Sequence, residues 1–425
     1  MLQSALWRAV ALITTLSFTR AVAAQSCEGS ISRENVVPCA ITTSLALASV
    51  RAQSVALEGQ RMAVSPLLPA NPQLTLSAAH RSNSNERSGN WYATLSQELE
   101  IAGQRSARLA RADAALRAQQ STLVASERDV AALAWRAYFE ALAARDLLST
   151  AVRLEQVFVQ STQVAQAGAA QGLVSGLDAN VSDLNTLRLS RERIEAERSA
   201  RSSVALLSTL LARDPGGAQS GLQGELTPLQ NAAALGLHEL DGRVDQRAEV
   251  VRARQAQELQ RAQRSVLERS RVPNVTLSLQ AQRDGFGEQV WGGGIALPIP
   301  LPYPLGRTLR GELSENAALI RQADSELDQI KRSVRLELVT AFYAEAAAKA
   351  QAELYTSERV ERAQRSLEDL AQALRAGRIP ISEVVVAQQT LVEFLRANIQ
   401  AKLELCLASV DLARSAGLSL WGAGL

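Results

Sequence analysis

Histidine is nearly absent: His80 and His238 are the only two in 425 residues. Neither sits in a ligand-like cluster. There is no CxxC, no HExxH, no phosphate-cradling glycine loop and no G-x-S-x-G elbow. These absences argue against an enzyme and give no support to a resident metal or cofactor. Lysine is almost as scarce, at Lys331, Lys349 and Lys402. The other basic residues are arginine, the formal net charge is +2 and no polybasic block stands out, so nothing favours nucleic acid. Aromatics are 4% of a chain that is 47% hydrophobic. Ala and Leu supply most of the apolar residues, which suits long, closely packed helices better than a thick globular core.

Long apolar runs are missing too, except at the start. Arg8 precedes an apolar run from Ala9 to Phe18, and "AVAAQ" comes next with small residues for cleavage. Residues 1–24 therefore read as a secretory signal. Beyond it the richest apolar stretch, "GIALPIPLPYPLG", is short and full of proline. No membrane-spanning helix is expected, whereas spanning strands remain open. Of three cysteines, Cys27 and Cys39 flank a short N-terminal segment and could pair in an oxidising compartment. Cys27 is also open to lipid modification or to staying free. Cys406 lies in a helical pattern and reads as a buried thiol.

What the chain does have is itself, twice. "LAWRAYFEALAA" around Tyr138 resembles "LVTAFYAEAAAK" around Tyr343, at an offset of 205. Gly172 pairs with Gly377 and Asp178 with Glu383 at the same offset. Each copy has one plan. A lead-in helix (Ser44 to Leu67; Asp245 to Arg271) ends at a proline. Two strands come after it (74–81 and 91–99; 275–283 and 290–299), joined by a polar loop. A very long helix comes next, from Gln104 to Gln166 or from Leu313 to Leu374. Each long helix breaks at a glycine-containing tip, and a shorter helix returns. In the second return helix Val384, Ala387, Leu391, Phe394, Asn398, Ala401, Leu405, Ala408 and Leu412 recur at three-four spacing, a seam for a partner helix. The domain boundaries are a signal at 1–24, an N-terminal segment at 25–43, a first repeat at 44–213, a linker at 214–244, a second repeat at 245–418 and a tail at 419–425. Within the linker, 231–242 reads as a short helix.

The strands alternate. Val275, Leu277, Leu279 and Ala281 are apolar, with Thr276, Ser278, Gln280 and Gln282 between them. Trp91 and Leu95 share a face, as do Trp291 and Ile295. About nine residues per strand is enough to cross a membrane when tilted. A small sheet packed on helices in a soluble protein fits the local pattern equally well. The count decides: membrane barrels have at least about eight strands, and a lipid-facing edge cannot stay unpaired. Several chains must pool their hairpins. The lipid-facing candidates are Trp91, Leu95, Leu277, Leu279, Trp291 and Ile295.

Two copies of strand-strand-long helix-return helix resemble the TolC-like outer-membrane efflux family. The stretches that carry the resemblance are "NPQLTLS", "LSQELEIAGQRSARL", "GLVSGLD", "ERSRVPNVTLS" and "GRIPISEV". "QELEIAGQR" looks most like the outer-membrane components of heavy-metal cation (cobalt-zinc-cadmium type) efflux systems of the resistance-nodulation-division class. The resemblance implies a mainly α fold with a transmembrane β-barrel. Three chains would share a twelve-strand barrel, continued by an α-helical periplasmic tunnel. It implies a passive exit duct in the outer membrane of a Gram-negative bacterium. Its partners would be two further copies of the chain, outer-membrane lipid, a periplasmic adaptor and an inner-membrane pump. An exit duct for drugs or secreted proteins is the alternative, and a periplasmic coiled-coil adaptor the more distant one.

The family's acidic pore ring would fall at Glu383 for its first position, but Val386 stands at the second, so a double acid ring is not matched. Asp178 and Asp183 are the gate candidates of copy one. Asp178 and Glu383 also read as first-turn helix acids, favourable near a helix N-terminus. The tips, Gly172, Leu173, Val174 and Ser175 with Gly377, Arg378, Ile379, Pro380 and Ser382, would meet the adaptor. Ser175 or Ser382 could cap the helix that begins there.

Overall fold

The computed structural model describes residue 27 and residues 29–82, 87–214, 221–229, 235–283, 287–306, 308–376 and 378–421. The expected signal segment lies outside the described residues. The elements run α1 (Val36–Thr43), α2 (Leu45–Ala63), β1 (Gln73–Ser82), β2 (Arg87–Leu99), α3 (Gln104–Ala170) and α4 (Gly176–Leu210) in the first half. The second half has α5 (Leu237–Asp241), α6 (Ala248–Arg269), β3 (Val275–Arg283), β4 (Gln289–Ala296), α7 (Arg310–Ala352), α8 (Ser357–Arg375) and α9 (Ile381–Ser415). No single described helix is long and apolar enough to cross a membrane.

The chain forms two compact units. One contains 48–125 and 248–332, and its core feature is a four-stranded antiparallel sheet in the order β1-β2-β3-β4. The other contains 1–47, 126–247 and 333–425. Its core lies around the middle of α3, where Ala131, Ala134, Trp135, Tyr138, Phe139, Ala141 and Leu142 are all buried. A helix buried on most of its sides needs covering from several directions. The N-terminal segment covers it through Arg33, whose guanidinium lies 5.5 Å from the Trp135 ring and donates to the Thr227 carbonyl at 2.7 Å. The linker covers it where the Tyr138 hydroxyl donates to the Gln223 carbonyl at 2.7 Å. The C-terminal segment covers it where Trp135 Nε1 donates to the Leu420 carbonyl at 3.0 Å. Cys27 and Cys39 are joined in a disulfide that pins this N-terminal segment. Cys406 is buried and free, and burial pushes its thiol up to about 12.

Several sequence expectations are corrected. The long helix expected over Leu313 to Leu374 is two helices, broken at residues 353–356. Thr356 caps the second one, its Oγ1 accepting from the Arg359 amide at 3.4 Å. Tyr355 leaves the helical path to pack on Phe394, with ring centroids 5.1 Å apart. In copy one, by contrast, α3 runs unbroken for 67 residues. The fourth strand ends its ladder at Ala296 and not at Ile299, because Pro298 and Pro300 have no N–H to give. The second strand begins at Arg87, four residues before Trp91. Of the expected linker helix over 231–242, Leu237–Asp241 is helical, and residues 231–234 lie outside the described residues.

Candidate functional site

The sheet's register decides which residues share a face. Leu74 pairs with Leu95, Leu95 with Leu279, and Leu279 with Gly293. Leu76, Ala93, Ala281 and Trp291 form the next row, and Ala78, Trp91, Arg283 and Gln289 the row nearest the loops. Leu277 stands between Gln97 and Ile295. All six expected face residues, Trp91, Leu95, Leu277, Leu279, Trp291 and Ile295, therefore lie on one side, and every one is exposed. The opposite side carries Thr75, Thr94, Gln280 and Gly292 in one row and Gln73, Ser96, Ser278 and Gly294 in another. β1 pairs only with β2 and β4 only with β3, so both outer edges are open among the described residues.

Where β2 leaves the sheet, polar contacts fasten it. Asn274 Nδ2 donates to Glu98 Oε1 at 2.7 Å. Gln104 Nε2 donates to the Val272 carbonyl at 3.1 Å, and the Arg269 guanidinium to the Ala102 carbonyl at 2.7 Å. Glu100 forms an ion pair with Arg108.

The helical tips lie together in the other unit. Gly172 takes φ +72°, a left-handed turn that glycine adopts without strain, and Leu173 beyond it is exposed. Ser175 Oγ accepts from the Leu177 amide at 3.2 Å and caps α4. The second tip has no such cap: Pro380 occupies the N-cap of α9, and the Ser382 side chain lies outside what is described. Gly377 also lies outside the described residues. Arg378 and Pro380 are exposed. Val174 and Ile379 instead turn inward onto a shared cluster of Ala165, Ala179, Leu374, Ile381, Val384 and Val385. Gly168 is needed under this tip, since a Cβ there would come 2.8 Å from Val174 Cγ2. Glu383 is exposed in the first turn of α9, and exposed Val386 lies one turn on. Asp178 is half-buried in the first turn of α4, and Asp183 is exposed.

Sequence reasoning missed the polar contacts that tie α4 to α9. Gln389 Nε2 donates to Asn185 Oδ1 at 3.0 Å, and Arg396 pairs with Glu192. On the other flank Gln388 Nε2 reaches Ser161 Oγ at 3.3 Å, and Thr162 Oγ1 meets Ser182 Oγ at 2.8 Å. The one available signal was spacing: both α4–α9 pairs are separated by 204 residues, one less than the repeat offset.

Residues 39–213 match the sequence model of the family described as outer membrane efflux protein. The chain is also similar to the cobalt-zinc-cadmium resistance protein CzcC of Cupriavidus metallidurans, at 27% identity over 305 residues, 70% of either chain. Solved membrane proteins share the fold over nine-tenths of the chain. CusC superposes with TM-score 0.73 at 14% identity, covering 90% of this chain and 91% of that one. VceC of Vibrio cholerae gives 0.71 at 18% identity, covering 91% and 96%. A membrane protein from Pseudomonas aeruginosa gives 0.75 at 16% identity, covering 93% and 92%. The fold shared with these structures thus extends through both repeats, beyond the stretch that the family's sequence model matches.

Proposed function

We propose that this protein is the outer-membrane exit duct of a tripartite efflux pump and that it passes heavy-metal cations. The observation that carries the duct reading is the sheet. It has one apolar face, one polar face and two open edges. In hydrocarbon an unpaired edge costs several kcal/mol per backbone group, so the sheet must close with other copies. Three copies of four strands give a twelve-strand barrel, each copy's β4 meeting the next copy's β1. The apolar face then meets lipid, and the Thr, Ser and Gln rows line the lumen. Such a lumen offers water-like hydrogen bonds and few fixed charges, which suits hydrated ions in transit.

The metal reading rests on likeness to CzcC, whose name states cobalt, zinc and cadmium resistance. A duct does no work on its cargo, so an inner-membrane pump supplies energy and a periplasmic adaptor joins the pump to the tips. Gly172, Leu173, Ser175, Arg378 and Pro380 are the exposed tip residues for that contact. Glu383, together with Asp178 and Asp183, supplies negative charge for a closed pore. Deleting the gene should lower the cadmium, zinc or cobalt concentration the host tolerates, and restoring the protein should return it. Unchanged tolerance to all three would contradict the metal reading.

A further inference from the structure

β4 supplies only eight laddered residues. A tilted strand needs about 9–11 to cross the hydrocarbon of a membrane. Beyond β4 the chain continues as Leu297-Pro298-Ile299-Pro300-Leu301-Pro302-Tyr303-Pro304-Leu305. Prolines take the even positions. Apolar residues take the odd ones, the parity of Trp291 and Ile295 on the apolar face. All five apolar side chains are exposed, from 51% at Leu301 to 80% at Ile299 and Leu305. From Gln289 through Gly306 there is no charged residue. An exposed apolar run of this kind marks a contact surface.

The prolines identify the contact. Backbone that leaves its ladder inside hydrocarbon strands its N–H groups, at several kcal/mol each. Proline has no N–H, so Pro298, Pro300, Pro302 and Pro304 remove that cost at every second residue. In water they would relieve nothing, and they deny another strand the donors it would need along that edge. The length agrees. Trp291 to Leu301 spans about 33 Å at ~3.3 Å per residue, or about 25 Å along the membrane normal at a 40° tilt, the height of a barrel's apolar band. Tyr303 then falls at the end of the band opposite Trp291, where aromatic girdles sit. The chain turns there, the Leu305 amide donating to the Pro302 carbonyl at 3.0 Å. Exposed Arg310 stands at the start of α7, suited to phosphate headgroups.

We propose that Leu297–Leu305 is a lipid-seated continuation of β4 that completes this stave's crossing and rests Tyr303 among the phospholipid headgroups of the periplasmic leaflet. The proposal rests on the barrel reading, and the test separates the two. In a Cys406→Ser background, single cysteines at Tyr303, Leu301, Leu279 and Leu173 are labelled with an environment-sensitive fluorophore. The oligomer is then reconstituted into phosphatidylcholine vesicles carrying nitroxides at the headgroup or along the acyl chain, from its upper carbons to its end. Quenching of the label at Tyr303 by headgroup nitroxide, of those at Leu301 and Leu279 by acyl nitroxide, and of that at Leu173 by neither is the expected result. If the label at Leu279 is quenched while those at Leu301 and Tyr303 are not, the segment is covered by protein; the proposal falls and the barrel stands. If the label at Leu279 is not quenched either, the barrel reading fails, and this proposal with it.

Discussion

The two copies share one plan but are fastened differently. In copy one the sheet exit is a joint: Asn274 holds Glu98, Gln104 holds Val272, and Arg108 holds Glu100. In copy two the exit is a proline-punctuated apolar strip with every apolar side chain exposed. Copy one's long helix is continuous, whereas copy two's is split at residues 353–356. Copy one's tip is capped by a serine, and copy two's tip carries proline at the same place. Duplication preserved the sheet register and the helical order, because one apolar face and one seam must be kept. It left exits, breaks and caps free to diverge.

The severest test of this contrast lies at the sheet, the part both copies must keep. Leu279→Arg places a charge on the apolar face and should cost about 2–4 kcal/mol per chain near the bilayer midplane. Heat-modifiable oligomers should be lost, while Gln280→Arg on the opposite face should keep them. Equal behaviour of the two variants would reject the face assignment. Next in size is the copy-one joint. Asn274→Ala removes a hydrogen bond to a carboxylate and should lower stability to unfolding in detergent by about 1.5 kcal/mol. A variant as stable as the wild type would show that the joint does not fasten the exit.

A smaller effect is expected at the tips. Ser175→Ala should cost about 1 kcal/mol of helix stability, the usual loss for an N-cap, and should speed proteolysis near Leu173. Pro380→Ala removes no side-chain cap and should change cleavage at its own tip less. The reverse order would remove the proposed difference in fastening. Glu383→Ala should scarcely affect stability, because the side chain is exposed, but should raise the ion conductance of the closed duct. Unchanged single-channel conductance would make Glu383 only a first-turn acid.

Much of the fold was legible because it is periodic. Alternation in 275–283 predicted the strand that the ladder contains, and the three-four seam from Val384 to Leu412 falls on α9. The six apolar face residues share one side because a period of two leaves no other choice once pairing is set. What was illegible depended on single side chains. The break before α8 has no glycine or proline to announce it; a threonine cap and an aromatic contact make it. Cys27 and Cys39 could not be paired on spacing alone, and only the fold brings them together. The end of β4 was placed too late because alternation continues through Ile299 although the prolines stop the ladder. At the candidate gate, sequence placed Glu383 and Asp178 in first turns, where they are found. It did not show that Val174 and Ile379 would be half-buried against a shared core.

The central claim is that open-edged sheets of separate copies close into one conducting barrel. Planar-bilayer conductance of the detergent-purified protein, with its mass measured in the same detergent, tests this most directly. The account predicts a trimer with a small, cation-leaning conductance. A monomer with no conductance would contradict it.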